Sequence, residues 1–103
     1  MDYTTLDQII IFHRIVEGRN ALYDDVEVVT VTNNGKFPIS VEIVESRTNI
    51  MGRVCYGDVL QDIIIIQPGE TKDFELDVDR KLVICSHKNW RMKVEKQELY
   101  AEE

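Results

Sequence analysis

Ile66-Gln-Pro-Gly-Glu-Thr-Lys-Asp-Phe-Glu-Leu-Asp-Val78 is the stretch on which the fold turns. Gln67-Pro68-Gly69-Glu70 puts Pro at the second turn position and Gly at the third. That is the type II pattern, since Pro pre-sets a negative φ and Gly accepts a positive one. Beyond the turn, Phe74, Leu76 and Val78 alternate with Asp73, Glu75, Asp77 and Asp79. Period two of this kind predicts a strand with one face in the core and the other in water. Before the turn, Ile63 to Ile66 is an unbroken apolar run, which reads as a strand covered on both faces. The motif is strand, turn, strand.

The same period recurs outward in both directions. Phe37, Ile39, Val41 and Ile43 alternate with Pro38, Ser40, Glu42 and Val44, with Pro38 suited to a strand start or an edge. Trp90, Met92 and Val94 alternate with Arg91, Lys93 and Glu95, and Leu82 to Cys85 is a short apolar run. Asp25 to Thr32 slips phase between Val28 and Val29, and a β-bulge there would account for it. Residues 6–16 carry two signals. Thr5 with Gln8 could cap a helix bearing Leu6, Ile9, Ile10 and His13 on one side, but five β-branched residues favour a strand. Asn33-Asn34-Gly35-Lys36, Asp79-Arg80 and Ser86-His87-Lys88-Asn89 supply turns. With turns about every ten residues and no convincing long helix, the pattern predicts an all-β fold. The expected architecture is a single antiparallel sandwich of about seven strands, or a small barrel, over residues 1–103, with a short acidic tail at 98–103. Phe74, Leu76 and Trp90 are the expected core anchors.

Val29-Thr-Val-Thr-Asn-Asn-Gly35, the strand from Phe37 to Val44, and Ile66 to Val78 together resemble immunoglobulin-like sandwich modules. They are most similar to the bacterial and archaeal adhesion-related kind and to the major-sperm-protein or pilus-chaperone kind. The likeness covers about half the chain and lies in a strand end and a turn. It implies an immunoglobulin-like sandwich, in which the Asn33 to Lys36 segment either arches between sheets or closes a hairpin, and, by analogy, an adhesive or assembly role. The antibody pattern of a Trp between two bridged cysteines is absent, because Trp90 follows both Cys55 and Cys85.

Composition narrows the function classes. The chain has 103 residues, of which 44% are hydrophobic, and only five glycines and two prolines, which excludes disorder and fibrous repeats. Twelve cations against nineteen acids give a net charge of −7, unfavourable for nucleic acid or anionic membranes. The longest apolar runs of the sequence are far short of a membrane span. The opening MDYTTLDQ lacks the features of a secretory signal, so the expectation is a cytoplasmic protein with free thiols.

Searching for chemistry turns up little. Cys55, Cys85, His13 and His87 include donors suited to zinc, but in no diagnostic spacing, and Cys85 reads better as a small core residue. Asp73, Glu75, Asp77 and Asp79, with Glu70, Asp58 and Asp62, suggest calcium. However, same-face strand residues stand ~6.6 Å apart, so a solvated, edge-protecting face is the better reading. No nucleophile elbow, phosphate loop or dinucleotide fingerprint occurs. The expectation is no catalysis, no cofactor and no metal.

Charge is segregated, and this is the strongest functional signal. Residues 80–96 carry Arg80, Lys81, Lys88, Arg91, Lys93 and Lys96 against Glu95 alone, while the rest of the chain holds six cations and eighteen acids. Two uses are open. The cations pair internally with acids on neighbouring strands, Glu75 and Asp77 among them, or they form a patch for an acidic partner or another copy. The sequence thus points to a non-enzymatic protein-interaction module, a small subunit or decoration protein of a larger assembly such as a virion or phage particle. An adaptor or chaperone-like domain that binds an extended peptide at a sheet edge is the alternative.

Overall fold

A computed structural model describes residues 2–17, 25–46, 57–77 and 79–97. Eight strands occur among them: β1 (Asp2–Leu6), β2 (Ile9–Val16), β3 (Val26–Asn33), β4 (Ile39–Ser46), β5 (Asp58–Ile66), β6 (Thr71–Leu76), β7 (Arg80–Cys85) and β8 (Arg91–Val94). They form two four-stranded antiparallel sheets, ordered β1-β2-β3-β6 and β5-β4-β7-β8. The chain is all-β, with a β-sandwich-like architecture.

One core joins the sheets. Ile9 and Ile11 of β2, Val29 and Val31 of β3, and Phe74 and Leu76 of β6 face Ile39 and Val41 of β4, Ile66 of β5, Leu82 and Ile84 of β7, and Val94 of β8. These are the inward parities that alternation predicts, because successive strand residues point to opposite faces. Phe74 and Leu76 are buried as expected, while Trp90 and Met92 pack half-buried against the cluster. Val78 and the 98–103 tail lie outside the described residues.

Turn chemistry decides where the chain changes sheets. Asn33 to Phe37 arches from β3 to β4, so the open alternative resolves against a hairpin. Asn33 is fully buried and holds this arch. Its amide donates to the carbonyls of Phe37 at 2.8 Å and Ile66 at 3.0 Å, and its Oδ1 accepts from Gly35 N–H at 2.9 Å. The Gln67–Glu70 turn arches back from β5 to β6. Gly69 there has φ 85° and Glu70 N–H donates to Gln67 C=O at 3.0 Å, as a type II turn requires.

Several expectations change. Residues 6–16 are strand and not helix, as the β-branched residues favour, but not one element: Asp7, at φ 56°, and Gln8 form a two-residue loop between β1 and β2. The phase slip in β3 is not a bulge, for its register runs unbroken against both β2 and β6. Instead Glu27 takes a core parity and Val28 an outer one, opposite Arg14 and Glu75. The bulge falls in β5, where Asp62 pairs with Ile43 and Leu60 with Val44, leaving Gln61 unmatched. Phe37 is exposed, not core, because the arch ends at Pro38 and the strand begins only at Ile39. Its ring lies 4.1 Å from that of His87.

The largest departure concerns Ile63 to Ile66. β5 belongs to a sheet that packs against only one other layer, so only one of its faces is covered. Ile66 is fully buried and Ile64 packs against the core, while Ile63 and Ile65 remain 49% and 46% exposed.

Candidate interaction surface

The six cations of residues 80–96 separate into three places. Lys88 sits in the β7–β8 turn at one end of the sandwich, 3.2 Å from Asp7. Arg80 and Lys96 lie at the opposite end, where Arg80 meets Glu45 through both Nε (3.2 Å) and Nη2 (2.8 Å). Lys81, Arg91 and Lys93 share the outer face of the second sheet, because β7 turns Leu82 and Ile84 inward and β8 turns Val94 inward.

On that face the register sets out rows across the four strands. Ile65, Ser40, Cys85 and Arg91 form one, and Ile63, Glu42, Val83 and Lys93 the next. Leu60, Val44 and Lys81 form a third, shifted by the bulge. Arg91 reaches over β7 to Glu42 at 2.9 Å, Lys81 reaches over β4 to Asp58 at 2.9 Å, and Lys93 meets Glu95 at 3.3 Å. The expected partners Glu75 and Asp77 are not the acids in these pairs. Glu75 belongs to β6, in the other sheet, and Asp77 directly follows that strand.

Asp58 also accepts from Ser46 Oγ at 2.9 Å. The hydrogen bond from Lys81, joined by that from Ser46, holds the Asp58 carboxyl below its ordinary pKa, and the hydrogen bond to Asp58 lifts the Lys81 ammonium. These ion pairs straddle a shallow trough of about 400 Å³ floored by Val44 and Val83. Leu60, 51% exposed, lines it as well, and Ile63 and Ile65 stand on the same strand and face. Half the face is therefore aliphatic and half carries paired charge.

The free edge of β5 is treated differently. Ile63 N–H donates to its neighbour Asp62 Oδ1 at 2.8 Å, Lys72 Nζ donates to Ile65 C=O at 3.3 Å, and Gln67 N–H donates to Glu70 Oε1 at 2.8 Å. Side chains of the same molecule thus occupy backbone groups that an added strand would use, and the Gln61 bulge interrupts the edge as well.

Other clusters are accounted for within the fold. His13, on the core parity of β2, is buried with Nδ1 3.4 Å from Glu27 Oε2, and the same oxygen accepts from Gln97 N–H at 2.7 Å. Glu27 thereby ties the segment after β8 to the first sheet. Sequence reasoning missed this pair, although Glu27 shares the parity of Val29 and Val31, which was the available signal. His13 faces inward while Cys85 faces outward, so the two cannot share a zinc ion, and Cys55 lies outside the described residues. Among the described residues no group of His, Cys, Asp or Glu could hold a metal ion. Asp73 accepts from Thr30 at 2.6 Å and Arg14 at 3.1 Å on the outer face of β6, an edge strand, while Asp58 and Asp62 lie on the other sheet. No described helix is long and apolar enough to cross a membrane. No family model, curated protein or solved structure matches the chain.

Proposed function

We propose that this chain is a non-enzymatic protein-interaction module, a small subunit of a larger assembly, and that it docks through the outer face of its second sheet. The observation that carries this reading is the contiguous exposure of Leu60, Ile63 and Ile65 beside Val83 and the Lys81, Arg91 and Lys93 pairs. Exposed aliphatics in water cost roughly 25 cal/mol per Å² that a partner would recover, and clustered ones mark interaction sites more often than scattered ones. Aliphatics ringed by paired charge match the apolar centre and polar rim of a protein interface. An immunoglobulin-like module is the fold we assign, supported by strands β3, β5 and β6 each handing the chain to the opposite sheet. Decoration of a virion or phage particle is one assembly such a module would serve.

The alternative is capture of an extended peptide at a sheet edge, and along β5, the edge beside this face, the bonds that Asp62, Lys72 and Glu70 make oppose it. The test is site-specific photo-crosslinking in the cell that makes the protein. A photoreactive residue at Val83 should give a discrete adduct, and one at Thr30, on the outer face of the first sheet, should not. Equal adducts from both positions, or none from Val83, would overturn the assignment of this face.

A further inference from the structure

We infer that the occupant of this face is a second copy of the chain, packed sheet on sheet about a two-fold axis parallel to the strands. The inference rests on the docking reading above and adds the identity of the partner. Three observations carry it.

Charge comes first. A chain of net −7 repels its own copies over most of its surface. The outer face of the first sheet carries Asp73 and Glu75 on β6 against Arg14 on β2, and the end of the sandwich near Arg80 gathers Asp25, Glu45, Asp77 and Asp79 against Arg80 and Lys96. On the outer face of the second sheet, Lys81, Arg91 and Lys93 are matched by Asp58, Glu42 and Glu95. Three cations against three acids make it neutral. Like copies therefore meet there with least repulsion.

The second observation is the distribution across the sheet. Aliphatics concentrate on β5, and cations on β7 and β8. A two-fold axis in the interface and perpendicular to the strands would lay β8 over β8 and oppose Arg91 and Lys93 with their own copies. An axis parallel to the strands lays β8 of one copy over β5 of the other. The methylene stems of Arg91 and Lys93 then cover Ile65 and Ile63, while their heads stay paired with Glu42 and Glu95. Only the second arrangement satisfies both halves of the face.

Size is the third. Strands of nine, eight, six and four residues, at ~3.4 Å rise and about 4.8 Å apart, make a face on the order of 440 Å² per copy. Two such faces reach about 900 Å², the size of a weak, transient contact, so the dimer should dissociate on dilution. A face that meets its own copy about a two-fold axis closes on two chains, and the occupied β5 edge opposes strand addition beside it.

Sedimentation of the full chain from about 1 μM to about 1 mM should show the mass rise from one chain to two and stop there. Ile63→Lys, at an exposed position, should weaken the association at least ~10-fold with an unchanged circular dichroism spectrum. Asp73→Lys, on the first sheet, should leave it intact. A readout that needs no substitution is alkylation of Cys85, half-buried on this face and followed by peptide mass, which should slow as concentration rises. A monomer at every concentration, growth beyond two chains, or loss of the dimer in Asp73→Lys alone would overturn the inference. The adduct at Val83 separates the two readings: an adduct with twice the chain mass supports self-pairing, and a discrete adduct of another mass leaves the docking face standing while removing the second copy.

Discussion

β5 and β6 leave the same turn in opposite directions, and both lie at the edge of a sheet, yet they meet water in opposite ways. Inward they are alike, Ile66 on one and Phe74 and Leu76 on the other being buried in the shared core. Outward, β6 presents Asp73 and Glu75, whereas β5 presents Leu60, Ile63 and Ile65. The charges on β6 protect an edge by making any added strand bury carboxylates. β5 instead satisfies its outward backbone with Asp62, Lys72 and Glu70, and keeps its side chains apolar. Closing an edge at the backbone while leaving the face greasy separates two hazards: it discourages strand addition and preserves a surface for docking.

The largest expected effect lies where the strands agree. Ile66→Ala and Leu76→Ala should each cost ~2–5 kcal/mol in denaturant unfolding, since both remove fully packed methyl groups from the core. Ile65→Ala, one residue away on the outer face, should change stability by less than ~0.5 kcal/mol under conditions where the protein is monomeric. A loss at Ile65 equal to that at Ile66 would mean β5 is covered on both faces after all, and the contrast with β6 would vanish.

Exchanging the outer faces sharpens the contrast. Ile63→Asp with Ile65→Glu gives β5 the outward chemistry of β6 and should abolish concentration-dependent association while leaving the fold intact. The reverse exchange, Glu75→Val on β6, should lower solubility without creating the dimer, because β6 lacks the flanking cations of β7 and β8. If the acidic β5 still associates, its aliphatics are not the contact surface.

That contrast was half legible in the sequence. Alternation in Phe74-Glu75-Leu76 shows directly which side of β6 is wet, because an aspartate or glutamate on a strand has one cheap orientation. An isoleucine run has no such marker, and Ile63 to Ile66 is compatible with either one covered face or two. Whether one layer or two packs on a strand is decided by how distant strands assemble, here a single sheet facing β5, and no local pattern contains it. The candidate face suffered from the same gap. Alternation correctly put Arg91 and Lys93 outward, but Glu42 and Asp58 become their neighbours and that of Lys81 only once β4 and β5 join β7 and β8. Glu27 failed for a further reason: a buried acid defies patterning, and its compensation by His13 and Gln97 N–H comes from residues far apart in the chain.

A smaller effect tests the edge itself. Asp62→Ala removes the acceptor of Ile63 N–H without touching the aliphatic face. Hydrogen exchange at the Ile63 amide should accelerate several-fold, in keeping with loss of one exposed hydrogen bond worth ~0.5–1.5 kcal/mol. If self-pairing runs face to face, dimer affinity should change far less than in Ile63→Lys. A large gain in association on freeing this amide would instead show that strands pair along the edge and that Asp62 had been holding them apart.

The smallest effect belongs to Asp58 and Lys81, the ion pair that crosses the docking face. Its Asp58 carboxyl titrates below the ordinary aspartate range because the ammonium of Lys81 and the hydroxyl of Ser46 hydrogen-bond its charged form. A depressed carboxyl pKa contributes stability that is fully present above the unfolded-state value and is lost as pH falls through the folded one. Stability should therefore decline on the acid side of pH ~4, the unperturbed aspartate value, and not between pH 5 and 8. Lys81→Met should move the Asp58 midpoint, followed by its carboxyl carbon resonance, back up toward the ordinary value and flatten that part of the acid profile. Because both groups meet solvent, salt should have a similar but partial effect on the wild type. An Asp58 midpoint unmoved in Lys81→Met would mean that Ser46 alone holds the charge, and that Lys81 is free to turn toward the opposing copy.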